Sequence, residues 1–118
     1  MTKKVLIGSI GVDSGQVMIG DPCYLDEWKA NEFDASAAYP TEATGTFDYD
    51  GACRATCSAA GHGELGNGRA VASETLYGDG RYPVYAVYER NSTRPSRLII
   101  EFADPDEDEE NDEEGYLL

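Results

Sequence analysis

The sequence predicts a small, mainly β fold of the α+β type, with about seven short antiparallel strands in a sandwich or small barrel and one short helix. Two observations lead to this prediction. Short runs of β-branched and aromatic residues recur along the chain, separated by Gly, Asp and Asn residues that favour turns. The long helical patterns that a parallel βαβ sheet requires between its strands are missing from the sequence.

The first two runs predict an N-terminal hairpin. Residues 4–10 and 16–20 are aliphatic and β-branched, which favours strands. Between them, Asp13 is suited to an Asx-turn and Gly15 can adopt a positive φ angle. We therefore expect these two strands to pair with each other.

A short helix is predicted over residues 22–30. Asp21 is suited to accept backbone N–H groups at the N-cap, and the φ angle of Pro22 is preset for the first helical position. Residues 31–44 are polar and predict an irregular connection. The helix has one apolar face, formed by Tyr24, Leu25 and Trp28.

The middle of the chain predicts three short strands and a glycine-rich loop. Residues 45–49 and 52–57 predict two strands joined by a turn, and residues 69–74 predict a third. Residues 59–68 contain four glycines and predict a flexible connection between strands.

The last two runs predict a second hairpin. Residues 82–89 are apolar on both faces, which is typical of a central strand packed on both sides. Residues 97–102 alternate between apolar and polar and are suited to pair with that strand. The predicted core side chains are Val5, Ile7, Val17, Ile19, Leu25, Trp28, Phe47, Val71, Val84, Ala86, Tyr88, Leu98, Ile100 and Phe102.

The negative charge is concentrated in the last 15 residues. The 118 residues carry 23 acidic and 9 basic side chains, a net charge of −14. Nine acids and no base lie in residues 104–118, so residues 1–103, with 14 acids and 9 bases, carry −5. We predict one β-rich domain over residues 1–103 and a disordered acidic tail over residues 104–118, because like charges repel and the tail can bury little apolar surface.

This charge argues against nucleic-acid binding, which needs clustered Lys and Arg, and against docking on anionic membranes. For residues 1–103 alone, the argument against nucleic-acid binding is weaker. This part of the chain has four arginines that are candidates for a local basic patch: Arg81, Arg90, Arg94 and Arg97. No apolar run approaches the roughly 20 residues of a membrane span, and the N-terminal segment lacks the pattern of a signal peptide. We expect a protein of the host-cell cytoplasm or of a virion.

Two sequence blocks resemble a known family. The run GVDSGQVMIGDPCY (residues 11–24) and the run YGDGRYPVY (residues 77–85), followed by the strand at residues 98–102, are similar to a domain-of-unknown-function family of small bacterial and phage proteins. The resemblance covers most of residues 4–103. The resemblance implies a β-rich fold and a phage or bacterial setting. It identifies no catalytic residue in this chain.

Two groups of residues are candidates for ligand binding. Asp13, Asp21 and Asp79 each lie beside Gly or Pro, where turn and cap hydrogen bonds explain them. If they converge, they have the oxygen ligands for a divalent cation or the carboxylates for glycoside chemistry. The second group combines cationic and aromatic side chains suited to stacking on a ligand, and consists of Arg81, Tyr82 and Tyr85.

The cysteines do not predict a metal or catalytic site. In a strand, Cys53 and Cys57 would lie about 13 Å apart, too far for one zinc ion or a disulfide. Cys23 would have a lowered thiol pKa at a helix N-terminus. The single histidine, His62, lies in the predicted glycine-rich loop, whereas a general base must be held within hydrogen-bond reach of its nucleophile. We expect reduced thiols, no metal and no cofactor.

These observations favour a non-enzymatic binding protein of phage or bacterial origin. Its most concrete form is an inhibitor of a host or competitor protein that presents the acidic tail to a basic groove. The alternatives are a virion or assembly protein and a small carboxylate or metal-dependent hydrolase. The predicted partner-binding residues of the tail are Asp106, Glu107, Asp108, Glu109, Glu110 and Tyr116.

Overall fold

The computed structural model describes residues 1–33 and 44–103. This part of the chain has the predicted mainly β, α+β fold, with two sheets. The chain divides into two compact units, one formed by Met1–Asp13 with the chain from Leu76 onward, and one by Ser14–Thr75. The described elements are β1 (Thr2–Val12), β2 (Gln16–Gly20), a 3-10 helix (Pro22–Glu27), β3 (Thr44–Gly45), α1 (Tyr49–Thr56), β4 (His62–Leu65), β5 (Ala70–Glu74), β6 (Gly80–Glu89) and β7 (Pro95–Ile100).

Sheet A is an antiparallel sheet with the order β1-β6-β7. The predicted C-terminal hairpin is confirmed, because β6 pairs with β7 from Val84 opposite Ile100 onward. Strand β6 is central, as predicted, and successive residues on its two faces, Ala86 and Val87, are 1% and 2% exposed. Burial on both faces explains why this segment is apolar throughout.

The predicted N-terminal hairpin is wrong. Strand β1 pairs with β6, with Val12 opposite Gly80, and β2 pairs with β5 in the other sheet. Residues 13–15 therefore connect two sheets rather than two neighbouring strands. Turn residues and strand propensities are local signals. The residues that β1 and β2 pair with, however, lie fifty or more positions away along the chain.

Sheet B has the order β2-β5-β4-β3, and its β3–β4 pairing is parallel, unlike the uniformly antiparallel sheets that were predicted. Strand β4 falls within the predicted glycine-rich loop, which is therefore partly wrong. Its side chains alternate, with Gly63 and Leu65 buried and His62 and Glu64 exposed. The glycines at both ends obscured this alternation in the sequence.

Helix α1 replaces the strand predicted at residues 52–57, and β3 is shorter than the strand predicted at residues 45–49. Asp48 caps the helix by accepting a 2.7 Å hydrogen bond from the Gly51 N–H. Asp50 and Arg54 form an i,i+4 ion pair at 2.8 Å. The capping residue and the i,i+4 charge pair are both helix-favouring signals in the sequence. The strand-like segments on either side led to the prediction of a strand instead.

The 3-10 helix begins where predicted, because Asp21 accepts a 2.9 Å hydrogen bond from the Cys23 N–H and Pro22 follows it. It is a shorter and tighter helix than expected, and none of its residues is buried. Trp28, just after it, meets Phe47 edge-on with ring centroids 5.2 Å apart, and both pack against the core of this unit. That core consists of Ala52, Ala55, Leu65, Ala70 and Ala72.

The predicted core is correct at Val17 and Ala86, which are buried, and Trp28 and Phe47 are partly buried against the Ala-rich core. It is wrong at five apolar positions that are at least half exposed. Small residues fill much of the core instead. Large side chains on the edge strands β1, β2 and β7, on the inner strand β5 and on the 3-10 helix are exposed. The exposed five are Ile7, Ile19, Leu25, Val71 and Leu98.

Candidate binding site at the basic end of one sheet

Positive side chains collect at one end of sheet A. The start of β1, the end of β6 and the start of β7 meet there because the three strands are antiparallel. Lys4 and Arg97 both lie opposite Val87, and Lys3 lies opposite Tyr88. The connection between β6 and β7 adds two arginines. The basic end of sheet A thus consists of Lys3, Lys4, Arg90, Arg94 and Arg97.

All five side chains of the basic end are exposed. Within residues 1–33 and 44–103, no ion pair or side-chain hydrogen bond is formed by any of them. Lys4 Nζ makes a cation–π contact, 4.4 Å from the centre of the Tyr85 ring. These cations are therefore available to an anionic ligand, and one of them already lies over an aromatic ring.

The basic end contains a single carboxylate, because Glu89 is the one acid in residues 1–5 and 87–97. Its Oε2 atom accepts a 2.8 Å hydrogen bond from the Ser96 hydroxyl. This carboxylate is held by a neutral donor rather than by a neighbouring arginine. The local excess of positive charge is therefore not cancelled within the described structure.

The β6–β7 turn is held by its own hydrogen bonds. The Ser92 N–H donates to the Glu89 carbonyl at 3.0 Å, and the Arg94 N–H donates to the Ser92 hydroxyl at 3.2 Å. The Ser92 hydroxyl donates in turn to the Arg94 carbonyl at 2.8 Å. Asn91 adopts the left-handed conformation, with φ of 65°, that this reversal requires. The backbone that carries Arg90 and Arg94 is therefore fixed locally.

An open cavity of about 690 Å³ lies at this end of the sheet. Its lining comes from residues 1–3, Val5 and residues 88–92. It combines the cations Lys3 and Arg90 with the apolar surfaces of Val5 and Tyr88. Such a mixture suits a ligand segment that carries both negative charge and an apolar side chain.

The charge of the chain is divided between its parts. In the first unit, residues 1–13 and 76–103 hold six bases and four acids, a net charge of +2. The second unit, residues 14–75, holds three bases and ten acids, a net charge of −7. The net charge of −5 on residues 1–103 is therefore the sum of a positive and a strongly negative part.

The structure does not group the three predicted carboxylates into a metal site. Asp13 and Asp79 flank the Val12–Gly80 pair, at the end of sheet A opposite the basic end. Asp21 belongs to the second unit and caps the 3-10 helix. Among the residues that the structure describes, no three His, Cys, Asp or Glu side chains are placed to hold a metal ion.

The predicted aromatic and cationic group separates. Tyr82 is 5% exposed, donates a 2.8 Å hydrogen bond to the Gly78 carbonyl, and meets Phe102 edge-on. Arg81 is exposed and donates to the Ser9 hydroxyl at 3.0 Å, away from the basic end. Tyr85, half-buried under Lys4, is the member of this group that adjoins the basic end.

The sequence pointed to part of the basic end through Arg90, Arg94 and Arg97, which are near one another in the chain. It missed Lys3 and Lys4, because they join the arginines only through the pairing of β1 with β6. Arg81 was included in the predicted basic patch but lies at the other end of the sheet. The predicted partner-binding residues of the tail, from Asp106 to Tyr116, lie outside the described residues.

The cysteines occupy structural positions in the second unit. Cys53 is buried on α1, and its Sγ atom accepts a 3.4 Å hydrogen bond from Gln16 Nε2, while Gln16 Oε1 accepts one from Thr56 at 2.9 Å. The hydrogen bond to Cys53, its negative charge when ionised and partial loss of hydration raise the pKa of Tyr49. Gln16 thus joins β2 to α1 beside a small cavity of about 200 Å³.

The expected lowering of the Cys23 pKa is wrong. Partial loss of hydration, the hydrogen bond and charge of Asp21 and the charge of Glu27 raise the pKa of this thiol instead. Loss of hydration and two nearby carboxylates together outweigh the backbone hydrogen bond that lowers the pKa of this thiol. Cys23 is therefore less ionised at neutral pH than an ordinary cysteine.

Comparisons of the chain with protein families, curated proteins and solved structures give no match. The resemblance seen in the sequence blocks therefore stays a prediction. In the described part of the chain, no helix has the length and apolar character needed to cross a membrane.

Proposed function

We propose that this chain is a binding protein that receives an acidic segment of a partner protein at the basic end of sheet A. The observation that supports the proposal most directly is the set of five exposed cations, unpaired in the described structure, at one end of sheet A. Two of them, Lys3 and Arg90, line an open cavity together with Glu89. In the phage or bacterial setting that the resemblance implies, such a protein acts by occupying a surface of another protein.

A short acidic segment fits this site better than nucleic acid does. Nucleic-acid binding commonly neutralises six to ten phosphates along an extended backbone. Here five cations are confined to one end of a short sheet, in a chain whose other parts carry −7 and −9. A polyanion that extends far beyond the basic end is repelled by the rest of the chain, whereas a short acidic peptide can be confined to the basic end. The apolar lining from Val5 and Tyr88 also suits a peptide side chain.

A binding titration tests this proposal. The probe is a fluorescein-labelled deca-glutamate peptide, and its fluorescence anisotropy is followed as full-length protein is added. Arg94→Gln with Arg97→Gln removes two cations from the basic end. The matched control, Lys29→Gln with Arg81→Gln, removes the same charge from exposed positions elsewhere. At about 0.5 kcal/mol for each exposed charge pair, the first variant binds roughly fivefold more weakly and the control is unchanged. Equal affinities of the two variants for the probe contradict the proposal.

A specific observation also favours the second candidate, an assembly protein. Strand β1 is an edge strand of sheet A, and its side chains Leu6 and Ile7 are 61% and 54% exposed. Exposed apolar edge strands pair readily with other chains. Self-association through β1 predicts an oligomer by light scattering that Ile7→Lys dissociates. A monomeric wild-type protein rules this candidate out.

A further inference from the structure

We infer that the acidic tail of the same chain, residues 104–118, occupies the basic end of sheet A and competes there with a partner's acidic segment. This inference rests on the proposed function and assigns a regulator to the same site. The tail holds nine acids and no base, and the site holds five cations and one carboxylate. No other stretch of the chain has a comparable excess of negative charge.

The point at which the tail leaves the sheet is fixed. After β7, the Glu101 N–H donates a 3.0 Å hydrogen bond to the Pro83 carbonyl. The Phe102 ring then packs edge-on against Tyr82, with centroids 5.2 Å apart. These contacts hold Glu101 and Phe102, the residues that precede the tail, against the start of β6, six residues before Glu89 at the basic end.

The distance between these two points matches the length of the tail. Six residue steps along β6 correspond to about 20 Å. A flexible chain of 15 residues has an r.m.s. end-to-end distance of roughly 20 Å and can extend to about 50 Å. A tether whose mean length equals the span gives the highest effective concentration, in the millimolar range.

The same-chain tail is therefore favoured over the tail of a second copy, which reaches the site only at its bulk concentration. An intramolecular competitor lowers the apparent affinity for an external segment in proportion to the fraction of sites that it leaves free. The affinity falls by a factor of one plus the ratio of the tail's effective concentration to its dissociation constant. With millimolar effective concentration and a weak, submillimolar contact, that factor is about tenfold. Removing some of the negative charges of the tail is therefore expected to restore part of the affinity for the external segment.

The inference is tested in the full chain with a matched pair of variants and the deca-glutamate probe. The tail variant is Asp108→Asn, Glu109→Gln and Glu110→Gln. The control variant makes the same three charge changes at exposed positions of the second unit, Asp26→Asn, Glu32→Gln and Glu64→Gln. We expect the tail variant to bind the probe roughly threefold more tightly than wild type and the control to stay within about 1.5-fold.

The outcomes separate the inference from the proposed function. A gain in affinity that disappears when Arg94→Gln and Arg97→Gln are added to the tail variant supports both. If those arginine substitutions weaken binding but the tail variant equals its control, the inference is overturned and the proposed function stands. If neither set of substitutions changes the affinity for the probe, both are overturned.

A second measurement identifies which chain supplies the tail. Carbodiimide joins a lysine amine to a carboxylate in direct contact, and mass spectrometry of an equal mixture of light and ¹⁵N-labelled protein tells links within a chain from links between chains. We expect links from Lys3 or Lys4 to the tail of the same chain and none from Lys29. Links that join only light to heavy chains overturn the intramolecular arrangement, as do tail links at Lys29 as frequent as those at Lys3 and Lys4.

Discussion

Lys4 of β1 and Arg97 of β7 lie opposite the same residue of the central strand, Val87, one on each side of it. Residues directly opposite each other in a sheet point to the same face, so these two cations share a face about 10 Å apart. Tyr85 lies on that face as well, with its ring under Lys4. Strand pairing, rather than closeness in the sequence, creates the positive site.

Gly51→Ala is expected to destabilise the second unit, although alanine usually stabilises a helix. A Cβ atom at this position would overlap the Thr46 carbonyl oxygen, so the backbone would have to move. We expect a loss of roughly 1–3 kcal/mol in the free energy of unfolding, measured by urea titration with circular dichroism.

The matched control for this helix position is Gly8→Ala, because a Cβ at Gly8 meets nothing within 4 Å. We expect that variant to be neutral or slightly stabilised. Equal stabilities of the two alanine variants would contradict the close approach of α1 to the segment before it.

Leu65→Ala is expected to cost about 2–5 kcal/mol of unfolding free energy. Leu65 is fully buried, at 0% exposure, among the small side chains of sheet B and α1, and its removal leaves a cavity that alanines cannot fill. Leu98→Ala is the control, since Leu98 is 61% exposed and its loss is expected to cost less than about 0.5 kcal/mol. Comparable losses at the two positions in urea titration would contradict the core described above.

Alkylation of Cys23 is expected to require a higher pH than that of an ordinary thiol. Only the thiolate reacts, and the raised pKa of Cys23 reduces its thiolate fraction at neutral pH. Peptide mapping after iodoacetamide treatment gives the rate at each pH. Glu27→Gln removes one of the charges that raise this pKa and is expected to shift the profile to lower pH. Asp26→Asn, on the same 3-10 helix, is the control. If Cys23 of the wild-type protein were alkylated at the same pH as glutathione, or at a lower pH, the raised pKa of Cys23 would be refuted.

Local features of the fold were predictable from the sequence. Asp21 and Pro22 marked a helix start because capping involves neighbouring residues, and the β6–β7 hairpin followed from two strands separated by one polar turn. Helix α1 was not predicted, because Gly51 and the short alanine-rich segment resemble a strand between turns. Its capping residue, Asp48, was the signal in the sequence from which this helix could have been predicted.

Features that depend on distant parts of the chain were not predictable. The partner of β1 is chosen by packing in the folded sheet, so nothing near Lys3 and Lys4 indicated that they would join the arginines of the β6–β7 turn. The exposure of Leu98 was not predictable either. The alternation of apolar and polar residues at positions 97–102 predicted that Leu98 is buried, but β7 is an edge strand and Leu98 is exposed. Of the five cations in the candidate site, only the three arginines could therefore be predicted from the sequence.

Chemical-shift mapping by NMR tests the central claim most directly. Amide signals of the ¹⁵N-labelled full chain are followed while unlabelled deca-glutamate peptide is added. The proposal predicts shifts at Lys3, Lys4 and residues 88–97 that saturate together and weaken with added salt. Residues at the opposite end of sheet A, Asp13 and Asp79, are expected to stay unchanged. Shifts confined to the second unit, or none at the basic end at saturating peptide, would contradict the assignment of this site.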